Sequence, residues 1–123
     1  MSSADRKTVD GLDLTNDGVL VALDELEAAL QDNIERAISV LRRARFIREQ
    51  RLGGLRYREI VPEEARPLIV DLVRHNLEAL LAAGGQFRKA EAKALHAEGM
   101  SMERIGEQFG VTRQRVATLL KEG

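Results

Sequence analysis

Cysteine is absent from this 123-residue chain, which excludes a disulfide framework and any thiolate metal site. Tryptophan is absent too, and Tyr and Phe together number four. A chain so poor in aromatics, and rich in Ala, Leu, Glu and Arg, favours helix over sheet. No apolar run approaches the ~18–20 residues that a bilayer span needs, so no membrane segment is expected. The opening residues, MSSADRKTVDGLD, lack the apolar core of a signal peptide. Together with the missing cysteines this leads to the expectation of a cytoplasmic protein. Catalytic signatures are missing as well. There is no nucleophile elbow and no phosphate-binding glycine loop. The two histidines, His75 and His96, have no companion at metal-ligand spacing and read as surface or edge residues. Glu63 and Glu64 are adjacent, and neighbours on a helix point apart. The expectation is a protein that is not an enzyme and needs no cofactor.

Charge of one sign is also lacking overall, with a formal net charge of −1, but its distribution is uneven. Residues 1–35 hold 2 basic and 9 acidic groups, whereas residues 36–58 hold 8 basic, all Arg, and 1 acidic. Residues 59–85 return to a net −3, and residues 86–123 carry a net +2. The average hides a basic block in the middle of the chain. In it, Arg42, Arg43, Arg45, Arg48 and Arg51, followed by Arg56 and Arg58, suit phosphate held by a planar fork. Three readings stand side by side: a second DNA-phosphate surface, a pocket for an anionic ligand, or a solvated face paired with the acidic residues of 59–85 or of an antiparallel partner.

Residues 1–17 are polar, Asp-rich and without periodicity, and read as a flexible tail. Within and beyond them, Asp13, Thr15, Asp17, Gly18, Leu20 and Asp24 match the spacing of a calcium loop. The alternative is an Asn-Asp-Gly turn that opens the next helix. From Val19 to Arg51 apolar residues alternate spacings of four and three: Val19, Leu23, Leu26, Leu30, Asn33, Ala37, Val40, Ala44 and Ile47. This is a heptad seam. A flanking row, Ile34, Ile38 and Leu41, widens it. One short partner cannot cover both, which points to dimerisation, to packing of the next helix, or to both. Asn33 in the seam would fix register.

Gly53-Gly54 ends this helix, and LRYREIV after it reads as a helical turn. Gly54, Leu55, Tyr57 and Ile60 repeat the spacing of Gly99, Met100, Met102 and Ile105; one reading is a degenerate copy of the later motif, interrupted at Pro62. Pro62 suits the first position of a helix, with Glu63 and Glu64 at its positive end. That helix is expected to reach about Ala83, bent at Pro67. Gly84-Gly85 then reads as a hinge before a helix over 86–98 that Gly99 stops.

The final segment, MSMERIGEQFGVTRQRVATLLKEG, carries the sharpest pattern. Ser101 can cap a helix to about Phe109, with Glu103 suiting the dipole. Ile105 and Phe109 share one face, Gly106 allows a close approach, Gly110 suits a left-handed turn and Val111 plugs it. Thr112 caps the next helix, with Val116 and Leu119 inward. The residues left outward suit a duplex. Arg113 can pair with guanine and Gln114 with adenine. Ala117 and Thr118 are small enough for close approach. Lys121 is placed for a phosphate, and Arg115 for a phosphate or an acidic neighbour. The expected DNA-contact set is Ser101, Thr112, Arg113, Gln114, Arg115, Ala117, Thr118 and Lys121.

Through Ile105, Gly106, Phe109, Gly110, Val111, Thr112, Arg113, Arg115 and Val116, this segment resembles the helix-turn-helix of bacterial sigma-factor region 4 and of site-specific resolvases. The resemblance covers about the last 35 residues. It implies that the helix after the turn enters the major groove, bringing Arg113, Gln114, Ala117 and Thr118 to base edges. Gly106 stands where Ala is usual in those families, which weakens the helix by roughly 1 kcal/mol. No resolvase catalytic domain and no sigma region 2 lie upstream.

These readings converge on an all-α chain. A long N-terminal coiled-coil-like helix and a helical hairpin (18–85) follow the tail (1–17), and a C-terminal three-helix helix-turn-helix unit (86–123) completes it. The expected function is a homodimeric, sequence-specific DNA-binding regulator. The competing class is a coiled-coil interaction protein docking on RNA polymerase or a sigma factor.

Overall fold

The computed structural model describes residues 8–9, 12–14 and 16–122. Apart from one short strand pair, the regular structure among the described residues is all helical. Strands β1 (Thr8–Val9) and β2 (Leu12–Asp13) pair antiparallel within the stretch expected as a tail. Five helices follow: α1 (Gly18–Leu52), α2 (Tyr57–Ile60), α3 (Ile69–Ala97), α4 (Met102–Phe109) and α5 (Arg113–Lys121), with a 3₁₀ turn at Val61–Glu63. Among the described residues no helix is long and apolar enough to cross a membrane.

Asp17 starts α1. Its Oδ1 accepts from the backbone N–H groups of Val19 and Leu20, both at 3.0 Å, satisfying donors that have no intrahelical partner. This corrects the calcium-loop reading: residues 18–24 are helical, so Leu20 and Asp24 lie on a helix and not around a loop. The side chains of Asp13 and Thr15 lie outside the described residues. Among the described ones, no cluster of His, Asp or Glu could hold a metal ion.

Two further expectations fail for backbone reasons. The helix expected from Pro62 is only the 3₁₀ turn, because residues next to Pro67 cannot run through it as helix: Pro67 has no N–H and disfavours helical geometry at Arg66. Helix α3 therefore starts at Ile69, where Glu64 Oε1 accepts from the Ile69 N–H at 3.1 Å. Nor does a helix end at Gly84-Gly85; α3 runs unbroken through both glycines to Ala97. Glycine lowers helix stability by about 1 kcal/mol per site, and the Ala- and Leu-rich turns on either side outweigh that.

Close contacts divide the chain into two compact units. One combines residues up to Leu26 with those from Ala83 onward; the other spans Glu27–Ala82. The first nine residues of α1, Gly18 to Leu26, thus belong with the C-terminal unit rather than with the 18–85 region expected from sequence.

In the Glu27–Ala82 unit, α1 and α3 run antiparallel, pinned by a reciprocal pair. Asn33 Nδ2 donates to the Asn76 carbonyl at 3.0 Å, and Asn76 Nδ2 donates to the Asn33 carbonyl at 3.2 Å. Arg36 adds a donor to Asn76 Oδ1 at 2.6 Å. Further along, Arg43 donates to the carbonyls of Ala65 and Pro67. The partner of the Asn33 side chain thus lies on α3 of the same chain. The half-buried seam of α1 in this unit is Ala29, Asn33, Arg36, Val40, Arg43, Ile47 and Gln50, with Ser39 half-buried at its edge. It shares every other position with the apolar seam read from sequence but replaces Leu30, Ala37 and Ala44, which are exposed.

That shift leaves an apolar row uncovered. With about 3.6 residues per turn, Leu30, Ile34, Ile38 and Leu41 lie roughly a quarter-turn from the Asn33 row. Val70, Val73, Leu77 and Leu81 lie a quarter-turn from the Asn76 row, in the same rotational sense. All eight are exposed. Because the helices are antiparallel, the shared sense brings both rows to one face of the pair.

The repeat noted in sequence is real at the backbone. Gly54 and Gly99 adopt φ of 97° and 99°. After each, the next N–H reaches back to close the preceding helix: Leu55 to the Gln50 carbonyl at 3.2 Å, Met100 to the Leu95 carbonyl at 3.0 Å. Extended caps, Arg56 and Ser101, then open α2 and α4, and Ile60 and Ile105 are buried at equivalent places. The first copy stops after one turn at the Val61-Pro62 step.

Candidate nucleic-acid interface

The C-terminal elements are short, and each is closed by local chemistry. Ser101 Oγ accepts from the Arg104 N–H at 3.2 Å and caps α4. Gly110 takes the left-handed conformation, φ 69° and ψ 33°, and ends it. Thr112 Oγ1 accepts from the Arg115 N–H at 3.0 Å and opens α5. Between them the chain doubles back so tightly that a Cβ on Gly106 would meet the Val111 carbonyl oxygen at 2.8 Å. The close approach that glycine permits is thus by the backbone of the turn and of the first residue of α5, Arg113, whose N would lie 3.5 Å from that Cβ. Val111 does not plug the turn: it is exposed, and Val111 N–H instead donates to the Gly106 carbonyl at 2.9 Å.

Ile105 and Val116 are fully buried, with Leu119 and Ala92 beside them, and Leu95, Met100, Met102, Phe109 and Leu120 pack around this core. The end of α3 is thus the third wall for α4 and α5. The Arg88 guanidinium lies 4.1 Å from the Phe109 ring centroid, a cation–π contact that ties α3 to α4. Glu122 closes the other end, 3.6 Å from Lys89 Nζ and 3.9 Å from Arg115. No sequence spacing signals the Arg88–Phe109 and Lys89–Glu122 contacts, because each joins residues far apart in the chain.

Taking Val116 as the inward direction, helical geometry sets Gln114, Thr118 and Lys121 on the opposite side of α5, Arg113 and Ala117 on one flank, and Arg115 on the other. Burial follows this layout. Thr112, Arg113, Gln114, Arg115, Thr118 and Lys121 are exposed, as is Ser101 at the start of α4, and Ala117 is half-buried. Arg115 faces the acidic neighbour, Glu122. Thr118 Oγ1 donates to the Gln114 carbonyl at 3.1 Å, which leaves its methyl for contact outside the helix. The arrangement presents an amide, a small apolar group and an ammonium in a row, with a guanidinium alongside.

The arginine block does not assemble into one site. Arg43 is engaged by the carbonyls of Ala65 and Pro67. Arg51 donates to the Leu55 carbonyl at 3.2 Å and lies 4.6 Å from the centre of the Tyr57 ring. Arg42, Arg45 and Arg48 are exposed on successive turns of α1. The cavity beside Arg42 and Arg43, about 300 Å³, is also lined by Glu63 and Glu64, two carboxylates that oppose an anionic ligand. None of the five arginines, Arg42 to Arg51, forms an ion pair with residues 59–85 among the described residues, so the intrachain pairing expected as one alternative is absent there. His75 and His96 are exposed, as the sequence suggested.

Comparison with known proteins finds no matching family model, no matching curated protein and no matching solved structure.

Proposed function

We propose that this protein is a sequence-specific DNA-binding regulator that acts as a homodimer. Residues 86–123 would serve as a helix-turn-helix unit with α5 in the major groove. The observation that carries the reading is the division of α5. Val116 and Leu119 anchor it in a buried core, while Gln114, Thr118 and Lys121 stand exposed on the opposite side with Arg113 beside them. A recognition helix needs that division: a rigid mount, and polar groups free to meet base edges and phosphates. Gln114 and Arg113 have the donors and acceptors for bidentate pairing with adenine and guanine, and the Thr118 methyl suits a thymine methyl.

The test is selection of bound duplexes from a random pool with the full chain, followed by titration of the selected site. Arg113→Ala or Gln114→Ala should each cost roughly 1–3 kcal/mol and relax the preference at one base position. Unchanged affinity and preference in both variants would remove α5 from the groove. If no duplex is retained at low salt, while the chain captures RNA polymerase or a sigma factor, the interaction-protein reading takes its place.

A further inference from the structure

We infer that the apolar face of the α1–α3 pair is covered by a second copy of this chain, with the two α1 helices packed side by side and antiparallel. The inference rests on the homodimer part of the proposed function and is independent of its DNA part. The face carries eight aliphatic side chains between 44% and 67% exposed. They stand in two rows along one side of the helix pair. Soluble monomers seldom leave an apolar patch of more than roughly a few hundred Å² bare, and a stable complex covers about 800 Å² of each partner.

Charge along α1 selects the occupant and its direction. From Gly18 to Glu35 the helix holds five acidic residues and no basic one; from Arg36 to Leu52 it holds six basic and one acidic. On the apolar side of α1, Glu27 and Arg45 flank the aliphatic row at its two ends. Both are exposed. Ile34 and Ile38 stand two residues to either side of Arg36, and Glu27 and Arg45 stand nine to either side. A two-fold axis crossing α1 at that level sets Ile34 against the partner's Ile38 and Glu27 against the partner's Arg45, and the symmetry repeats both contacts. A parallel α1 pair would set Glu27 beside Glu27 and Arg45 beside Arg45, which is repulsive twice over. Stacking α1 on the partner's α3 would give Arg45 a carboxylate in Glu64 but leave Glu27 level with Ala82, where no cation waits. Only the antiparallel α1 pair satisfies both charged residues.

The experiment is sedimentation equilibrium of the full chain, without DNA, for the wild type, Glu27→Arg, Arg45→Glu and an equimolar mixture of the two variants. Both substitutions are on exposed helix positions, and circular dichroism reports whether helicity is kept. The wild type should be a dimer. Each variant alone places like charges opposite one another at two symmetric points, so its dimer dissociation constant should rise at least about tenfold. The mixture forms a heterodimer in which the side chain introduced in one variant meets the opposite charge introduced in the other, and the native Arg45 of the first meets the native Glu27 of the second. Its dimerisation should therefore return to near the wild-type strength. A wild-type dimer with variants that are weakened and not rescued by mixing, or not weakened at all, overturns the antiparallel arrangement alone. A monomeric wild type at tens of micromolar overturns the arrangement and the homodimer together, and leaves the assignment of α5 to be judged by the Arg113 and Gln114 variants.

Discussion

A methyl group on Gly106 would sit 2.8 Å from the Val111 carbonyl oxygen, whereas one on Gly84 or Gly85 meets nothing within 4 Å. All three glycines are helical, so alanine gains the same intrinsic propensity at each, about 1 kcal/mol. At Gly106 that gain is opposed by a backbone clash in a turn that cannot open without moving Thr112, the cap of α5; overpacking of this kind costs about 1–3 kcal/mol. Gly106→Ala should therefore lower the melting temperature, and Gly84→Ala and Gly85→Ala should raise it, together by up to about 2 kcal/mol of stability. Thermal unfolding of the three variants checks this. A stabilised Gly106→Ala would mean that the turn is looser than its Gly106–Val111 hydrogen bond implies. The sequence signalled Gly106 as a point of close approach, through its place between two apolar positions, but not what approaches. The approaching atom belongs to a residue five further on, across a turn whose tightness only the folded backbone defines.

At the level of the helices, the boundaries that local chemistry sets were legible. Ser101, Gly110 and Thr112 each act within three or four residues of their own position, and α4 and α5 begin and end where those residues indicate. The packing of α1 was only half legible. Its apolar periodicity names Leu30 and Ala37 as seam positions, yet the seam turned to α3 uses Ala29 and Arg36. The cause lies about 40 residues away: Asn76 offers its carbonyl to Asn33 and its side-chain oxygen to Arg36, so polar bonding displaces the aliphatic row from the place facing α3. The same contacts define a measurable asymmetry. The Asn76 side chain bonds both the Asn33 backbone and Arg36, while the Asn33 side chain makes one bond, to the Asn76 backbone. Asn76→Ala strands a guanidinium and a carbonyl; Asn33→Ala strands a carbonyl. With net values of roughly 1 kcal/mol for a neutral hydrogen bond and about 1.5–3 for one to a charged group, Asn76→Ala should destabilise the chain more than Asn33→Ala. In a double-mutant cycle, Asn76→Ala and Arg36→Ala should couple. Equal losses on urea titration, with no coupling, would show that these bonds do not set the register.

For the whole molecule, the quantity that joins the proposed DNA reading to the proposed dimer is the number of phosphates engaged. Residues 86–123 carry a net charge of only +2, and of the cations on α5, Arg115 faces Glu122. One copy can thus neutralise few phosphates, and a single α5 should hold DNA weakly at physiological salt. Two copies double that count. Lys121, exposed at the last turn of α5, separates the two cases. Removing one phosphate contact reduces the slope of log affinity against log salt by about 1. Lys121→Ala should therefore flatten the slope by about 2 if two copies are bound and by about 1 if only one is, while weakening all duplexes alike because the contact carries no sequence information. Measured across a salt series, with the Glu27→Arg variant held below its dimer dissociation constant as the monomeric reference, the change in slope counts the copies on the duplex. A slope that Lys121→Ala leaves unaltered would take the C-terminal turn of α5 away from the phosphate backbone, and with it the orientation in which Gln114 and Thr118 face the bases.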